Sequence, residues 1–223
     1  LAPSEFKVYG RDPEHDITIG IGRVVHTPCY GSTFIMEPGG KRRPAVMDDY
    51  INFLKLSHVS PELDTTGGVL VEPSDLEDKT RYLDTLYSHI RYSTKSFMGS
   101  SGGAQGVKDT LELLAPVHGG KEAMKKKPAN VTLVNTITPL KLDERMAGVL
   151  VEAAKWRIPT LVTAALMCGS TGPATLAGGL VVQNAEVLGA IALTQTISPG
   201  NAVIYGSASA ISDMNSEIGR AHV

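Results

Sequence analysis

Apolar positions recur in two rhythms along this chain, and the change falls near residue 68. Before it, residues 5 to 35 read as short β segments joined by turns. "FKVYG", "DITIGIG" and "RVVHTPCYG" alternate or cluster branched residues between glycines. The first helical period is "MDDYINFLKL", with Asp48 or Asp49 as its cap and Tyr50, Phe53, Leu54 and Leu56 on its apolar side. Beyond that point strand and helix patterns alternate. "GGVLVEPSD" predicts a β run. Ser74 then caps a helix over "DLEDKTRYLDTLYSHIR", with Leu76, Tyr82, Leu83, Leu86 and Ile90 as its stripe. "KSFMGS" is a short strand, and "GVKDTLELLAPVHGGKEAMKKK" is two helical pieces separated by His118, Gly119 and Gly120. "NVTLVNTI" predicts a strand, and "KLDERMAGVLVEAAKWR" a helix with Leu142, Met146, Val149, Leu150 and Ala153 on one side. "PTLVTAALM" is a strand, "GPATLAGGLVVQNAEVLGAIALTQTI" a long helix, and "NAVIYGSAS" a further strand.

The later strands are continuous runs of Val, Leu, Ile and Ala, as a sheet covered on both faces requires. A doubly wound sheet and a (β/α) barrel both satisfy this pattern. Against the first, no GxGxxG opens a helix directly after a strand, and "GIGRVV" sits among β segments. For the barrel, the strand C-ends carry small or polar groups: Ser100 and Ser101, Asn135 and Thr136, Cys168 to Thr171, and Tyr205 to Ser209. In a barrel these ends converge on one rim, where the chemistry is placed. Only four strands are clear, against the eight of a closed barrel. The expectation is therefore an α/β chain forming an incomplete (β/α)8 TIM barrel over residues 61–217, preceded by an N-terminal β-rich and helical extension over 1–60. The last six residues, "IGRAHV" (218–223), read as a translated sequencing adapter rather than protein.

Composition narrows the classes of partner. Of 223 residues, 42% are hydrophobic and 20% charged, which is the balance of a globular chain. A formal net charge of −2 and the absence of a basic patch with interleaved aromatics give no reason to expect nucleic acid. The runs "KRRP" and "MKKKP" are short and end at turn prolines, as solvated faces or helix C-terminal charges do. Cys29 and Cys168 form no disulfide framework or metal quartet, which fits a reducing compartment. The uncharged stretch from Val187 to Ser212 is broken by Gln195, Thr196, Ser198, Pro199, Gly200 and Asn201, so helix, turn and strand fit it better than a membrane span. The first residues lack the basic-then-apolar order of a signal peptide.

The long stretch "GSTGPATLAGGLVVQNAEVLGAIALTQ" followed by "PGNAVIYGSAS", within Pro139 to Met214, carries a resemblance. With "YGRDPEHD", "KRRPA", "VEPSD" and "GGKEAM" upstream, the chain resembles the trimethylamine methyltransferase family of corrinoid-dependent methyltransferases, which includes glycine betaine methyltransferases. The resemblance implies a complete (β/α)8 barrel larger than this chain. It also implies a cytoplasmic enzyme that moves a methyl group from trimethylamine or a quaternary amine to the Co(I) corrinoid of a separate small protein. No cofactor is then bound directly, no metal is held by the chain, and the full-length protein is expected to be a homo-oligomer. The archaeal trimethylamine enzymes use pyrrolysine on a later barrel strand, so the key catalytic residue is expected beyond this sequence.

Substrate-pocket candidates follow from position at strand C-ends: Asn135, Thr138, Met167, Thr171, Tyr205, Ser207 and Asp213. A methylated ammonium is held by aromatic faces and carboxylates, which makes Tyr205 and Asp213 chemically apt. Thr171 also reads as a helix cap, with Pro173 in the first turn and Gly178 and Gly179 packed closely against a neighbour. Gln183, Asn184 and Glu186 are expected to tie their helix to loops or solvent. Cys168 reads as a small rim or core residue, since zinc needs three or four donors. His118 reads as a loop histidine and His15 as a turn contact. Two other readings stay open: a non-catalytic amine-binding homologue, and another metal-assisted TIM-barrel enzyme.

Overall fold

A computed structural model describes residues 2–211; Asp213 and the 218–223 tail lie outside the described residues. The chain groups into two compact units, one holding Ser4–Ser100 and Gly106–Val131, the other built chiefly from residues 132–211.

The first unit opens with two antiparallel hairpins, β1 (Glu5–Val8) with β2 (Ile17–Gly20) and β3 (Phe34–Met36) with β4 (Arg42–Pro44). Helix α1 spans Met47–Val59. Asp49 is its third residue rather than its cap, and accepts from the Val46 N–H at 3.0 Å while Arg43 grips its carboxylate with two nitrogens at 2.6 and 2.8 Å. That forked pair holds the Asp49 carboxyl below its usual range. The basic "KRRP" run is thus partly a clamp on α1 rather than a solvated face.

Tyr50 and Leu54 join Ala45, Leu70 and Val71 in a buried cluster, whereas Phe53 and Leu56 face outward at 40% and 62% exposure. Spacing of i and i+4 selects the buried pair. The expected β run at Gly68–Val71 makes only a single bridge, Ser32 to Val71. The expected helix from Ser74 starts instead at Arg81, giving α2 (Arg81–Tyr92). Its intended first turn is engaged elsewhere: Ser74 donates to Ala45 O through both N–H and hydroxyl, and Asp75 accepts from Met47 N at 2.9 Å. The stripe residues are also uneven, with Leu86 buried among Thr85, Ser88 and His89.

Strand β5 (Phe97–Met98) pairs in parallel with Asn130 and Val131. Between them lie α3 (Gly103–Leu114), a short 3₁₀ turn, and α4 (Lys121–Lys126), split at Gly119 and Gly120 as the sequence predicts. Lys95, almost fully buried, donates to the carbonyls of Ser57, Ser60 and Leu63 at 3.1, 2.8 and 2.6 Å. It thereby satisfies groups that the end of α1 leaves unpaired.

The second unit is a parallel ladder. Strand β6 (Asn130–Asn135) pairs with β7 (Thr160–Ala164), and β7 with β9 (Val203–Ser207). The connections are α5 (Glu144–Lys155), and a short strand β8 (Met167–Cys168) followed by α6 (Leu176–Ile197). Asp143 caps α5 by accepting from Met146 N at 2.7 Å, and Met146, Val149, Leu150 and Ala153 are buried as their spacing dictates. Strand β8 pairs in parallel with β10 (Ala210–Ile211), extending the ladder past the C-ends of β7 and β9. The cap of α6 is Thr175, which accepts from Gly178 N, so Pro173 and Thr171 stand before the helix rather than in it. The reason is the turn ahead of it: the Met167 carbonyl accepts from the N–H groups of Ser170, Thr171 and Gly172, with Gly169 at φ +85°. By length and composition α6 is apolar enough to cross a membrane, yet its buried side carries Gln183, Glu186 and Thr194. Those polar groups face protein partners.

Candidate functional site

Register assigns the side chains of the parallel ladder to two faces. Leu133, Leu161 and Ile204 lie abreast, and Asn135, Thr163 and Gly206 form the next layer at the C-terminal edge. Val134, Val162 and Tyr205 lie abreast on the opposite face, with Ala164 and Ser207 beyond them. Val134, Val162 and Ala164 are fully buried on that second face.

The first face therefore runs from an apolar layer to a polar edge. There the Thr163 hydroxyl donates to Asn135 Oδ1. With Oδ1 so engaged, the Asn135 amide directs its two N–H donors away from Thr163. Gly206 completes the layer because a side chain there would collide with Thr163 Cγ2 and approach Leu161 Cδ1 to 2.9 Å. Thr163 is a functional candidate that reading "PTLVTAALM" as one apolar run passed over. The criterion that selected Asn135, a polar residue at a strand C-end, would have found it.

Tyr205 and Ser207 turn to α6 instead. Gln183 bridges them, donating from Nε2 to the Tyr205 hydroxyl at 3.3 Å and accepting from Ser207 Oγ at 2.7 Å. Tyr205 keeps 45% of its surface exposed. Thr138 is drawn to the same helix, donating to Glu186 at 3.1 Å. Met167 and Thr171 close on each other, with the Met167 N–H donating to Thr171 Oγ1 at 3.0 Å. The candidates thus fall into separate groups: Asn135 on the ladder face with Thr163, Thr138, Tyr205 and Ser207 tied to α6, and Met167 with Thr171 in the turn after β7.

Cys168 is buried against α6, where a Cβ on Gly179 would lie 2.5 Å from its sulfur. Close packing is what the glycine provides. Among the described residues no three His, Cys, Asp or Glu side chains come together as a metal-binding group. His15 and His118 lie in the other unit: His15 shares a hydrogen bond of 2.7 Å with Thr94 Oγ1, and burial pushes the His118 pKa down.

This ladder, with its polar C-terminal edge and connecting helices, is an α/β scaffold. Residues 1–219 match the family model described as trimethylamine methyltransferase (MTTB), and the chain belongs to that family. It is 47% identical over 215 residues to a glycine betaine methyltransferase of Desulfitobacterium hafniense (strain Y51), covering 96% of this chain and 45% of the relative. It is 32% identical over 215 residues to the trimethylamine methyltransferase MttB of Desulfitobacterium hafniense (strain DSM 10664 / DCB-2), covering 96% and 43%. With the proline betaine:corrinoid methyltransferase of Eubacterium limosum, identity is 29% over 194 residues, covering 83% and 40%. The chain thus spans less than half the length of these relatives.

Proposed function

We propose that the whole protein is a cytoplasmic corrinoid-dependent methyltransferase acting on a quaternary amine, with glycine betaine as the first candidate. The match of residues 1–219 to the family, with 47% identity to a glycine betaine methyltransferase, carries this reading. On this reading the chain from residue 61 onward is part of a (β/α)8 barrel, with 1–60 as an added front segment. The parallel β6, β7 and β9, each joined to the next through a helix, support that architecture.

In the reaction the C–N bond breaks with its electron pair passing to nitrogen, and the methyl group passes to a reduced corrinoid carried by a separate protein as co-substrate. The chain's own contribution is to bind and orient the amine. The quaternary nitrogen of glycine betaine has neither an N–H nor a free lone pair, so the substrate hydrogen-bonds only through its carboxylate, which accepts from donors. Asn135, braced by Thr163, presents such donors at the polar edge of the ladder. Thr138, Met167 and Thr171 border the pocket, and Tyr205 and Ser207 brace the end of β9 against α6.

Full-length protein mixed with its reduced corrinoid carrier and a panel of methylated amines should yield methylated corrinoid, followed by absorbance, with glycine betaine. Tight amine binding without methyl transfer would instead make it a binding protein. Within the same panel, Asn135→Ala should raise KM for glycine betaine about tenfold, the effect of a lost hydrogen bond to a charged group. Trimethylamine, which has no carboxylate, should be unaffected; an equal loss for both amines would remove Asn135 from carboxylate recognition.

A further inference from the structure

The loop leaving β6 is short and tightly made. Ile137 and Lys141 exchange both backbone hydrogen bonds, at 2.8 and 2.9 Å, and close a tip of Thr138, Pro139 and Leu140. Leu140 sits at φ +55°, a left-handed conformation unfavourable for a residue with a branched side chain. Such a backbone persists where its surroundings fix it. Here one side chain adds to the backbone pair. Glu186, buried on α6, accepts from Thr136 Oγ1 at 2.6 Å and Thr138 Oγ1 at 3.1 Å through one oxygen, and from Leu140 N at 2.8 Å through the other. One donor lies at the entry to the loop and two lie on its tip. Beside this tether lies a cleft of about 240 Å³, lined by Thr136, Leu140, Lys141 and Leu142 on one side and Ala185, Glu186, Gly189 and Ala190 on the other. A loop released from Glu186 has space to settle into.

We infer that Glu186 is a positioning residue for methyl transfer: it fixes the loop after β6 at the C-terminal edge of the ladder, and so the placement of Asn135 immediately before it. This rests on the methyltransferase reading above. Glu186 touches no reacting atom in this account; it acts through Thr136, Thr138 and Leu140. A carboxylate suits the task because it accepts at both oxygens. An amide in its place turns one of those acceptors into a donor facing another donor.

The test uses the full-length enzyme with its reduced corrinoid carrier. Glu186→Gln should lower kcat/KM for the methylated amine at least tenfold, with the loss mainly in kcat, because a misplaced substrate still binds but reacts more slowly. Thr136→Val, which removes one donor, should give a smaller loss, and Thr136→Ser should restore the wild-type value. Hydrogen exchange at the Leu140 amide, slow in the wild type, should become fast in Glu186→Gln. Fast exchange at Leu140 with unchanged kcat and KM would overturn the positioning role and leave Glu186 a purely structural tether. Slow exchange in Glu186→Gln would show that the loop does not depend on Glu186, which also overturns it. A wild-type protein that transfers no methyl group from any amine, yet shows slow Leu140 exchange, would place the failure in the methyltransferase reading, and the role in transfer would fall with it.

Discussion

Acidification from pH 7 to pH 4 is expected to destabilise the protein by about 3 kcal/mol through one histidine. His89 on α2 is buried and stacked on Phe97, with ring centroids 4.3 Å apart and planes 7° from parallel. The Tyr50 hydroxyl donates to Gly68 O at 2.9 Å, so it accepts from His89 Nε2 at 2.8 Å, and His89 Nδ1 accepts from Thr66 Oγ1 at 2.9 Å. This arrangement uses the neutral ring with its proton on Nε2. Burial pushes the Tyr50 phenol up, so it remains a donor, and pushes the His89 pKa down to about 4. The unfolded chain takes up this proton near pH 6.5, the folded chain only near pH 4. Between the two the unfolded state binds more protons, so stability falls as pH falls, and the loss is complete below the lower value. His58 shifts downward too, through burial and the neighbouring His15, Lys95 and Arg11, and adds to the same slope.

The Asp49–Arg43 pair acts in another window. Its carboxyl is depressed, so its contribution is full above the ordinary carboxylate pKa and is lost only as pH falls below that range. Urea midpoints measured at half-unit steps from pH 7 to pH 3 therefore separate the two. His89→Gln should flatten the upper part of the profile and leave the lower part steep. An unchanged slope between pH 6.5 and 4 in that variant would mean that His89 does not carry the loss.

The parts of the fold legible in the sequence are those whose determinants lie within one helical turn or one strand. Helix α5 is the clearest case, because Met146, Val149, Leu150 and Ala153 set the face. The start of α2 was not legible, because Ser74 and Asp75 find partners about 30 residues upstream, at Ala45 and Met47. The end of β7 and the start of α6 depart from the sequence pattern for a similar reason: the Met167 carbonyl gathers three N–H groups and delays the helix, which is capped by Thr175. The candidate site divides along the same line. Its polar strand ends are visible as residue types, but "NAVIYGSAS" has no alternation to say which face Tyr205 takes. Only the pairing of Val162 with Tyr205 turns it toward α6 and puts Gly206 beside Thr163. Glu186 could be read as a tie to a loop, but its partners lie 46 to 50 residues away.

Gly206→Ala is expected to destabilise the protein by about 2 kcal/mol, and Gly206→Val by more, because overpacking a filled site costs about 1–3 kcal/mol. The sign is decided by two opposing effects. Replacing a strand glycine with alanine ordinarily helps by about 0.5–1 kcal/mol through backbone entropy. At this position the new Cβ would strike Thr163 Cγ2, come within 2.9 Å of Leu161 Cδ1, and lie 3.1 Å from the Val162 carbonyl. The last of these is backbone in a ladder paired on both sides, so it cannot move aside cheaply. Steric cost therefore exceeds entropic gain. The collision also falls on the residue that braces Asn135, so full-length Gly206→Ala should lose activity in the methyl-transfer assay as well as stability. A second substitution isolates the cause. Thr163→Ser removes the methyl group in the way while keeping the hydroxyl that donates to Asn135. In the Gly206→Ala background it should recover about 1 kcal/mol and part of the activity, whereas alone it should cost a little through lost packing. Strict additivity of the two substitutions in thermal or urea unfolding would show that Thr163 does not confine Gly206, and that the close approach of β7 and β9 is not what requires glycine there.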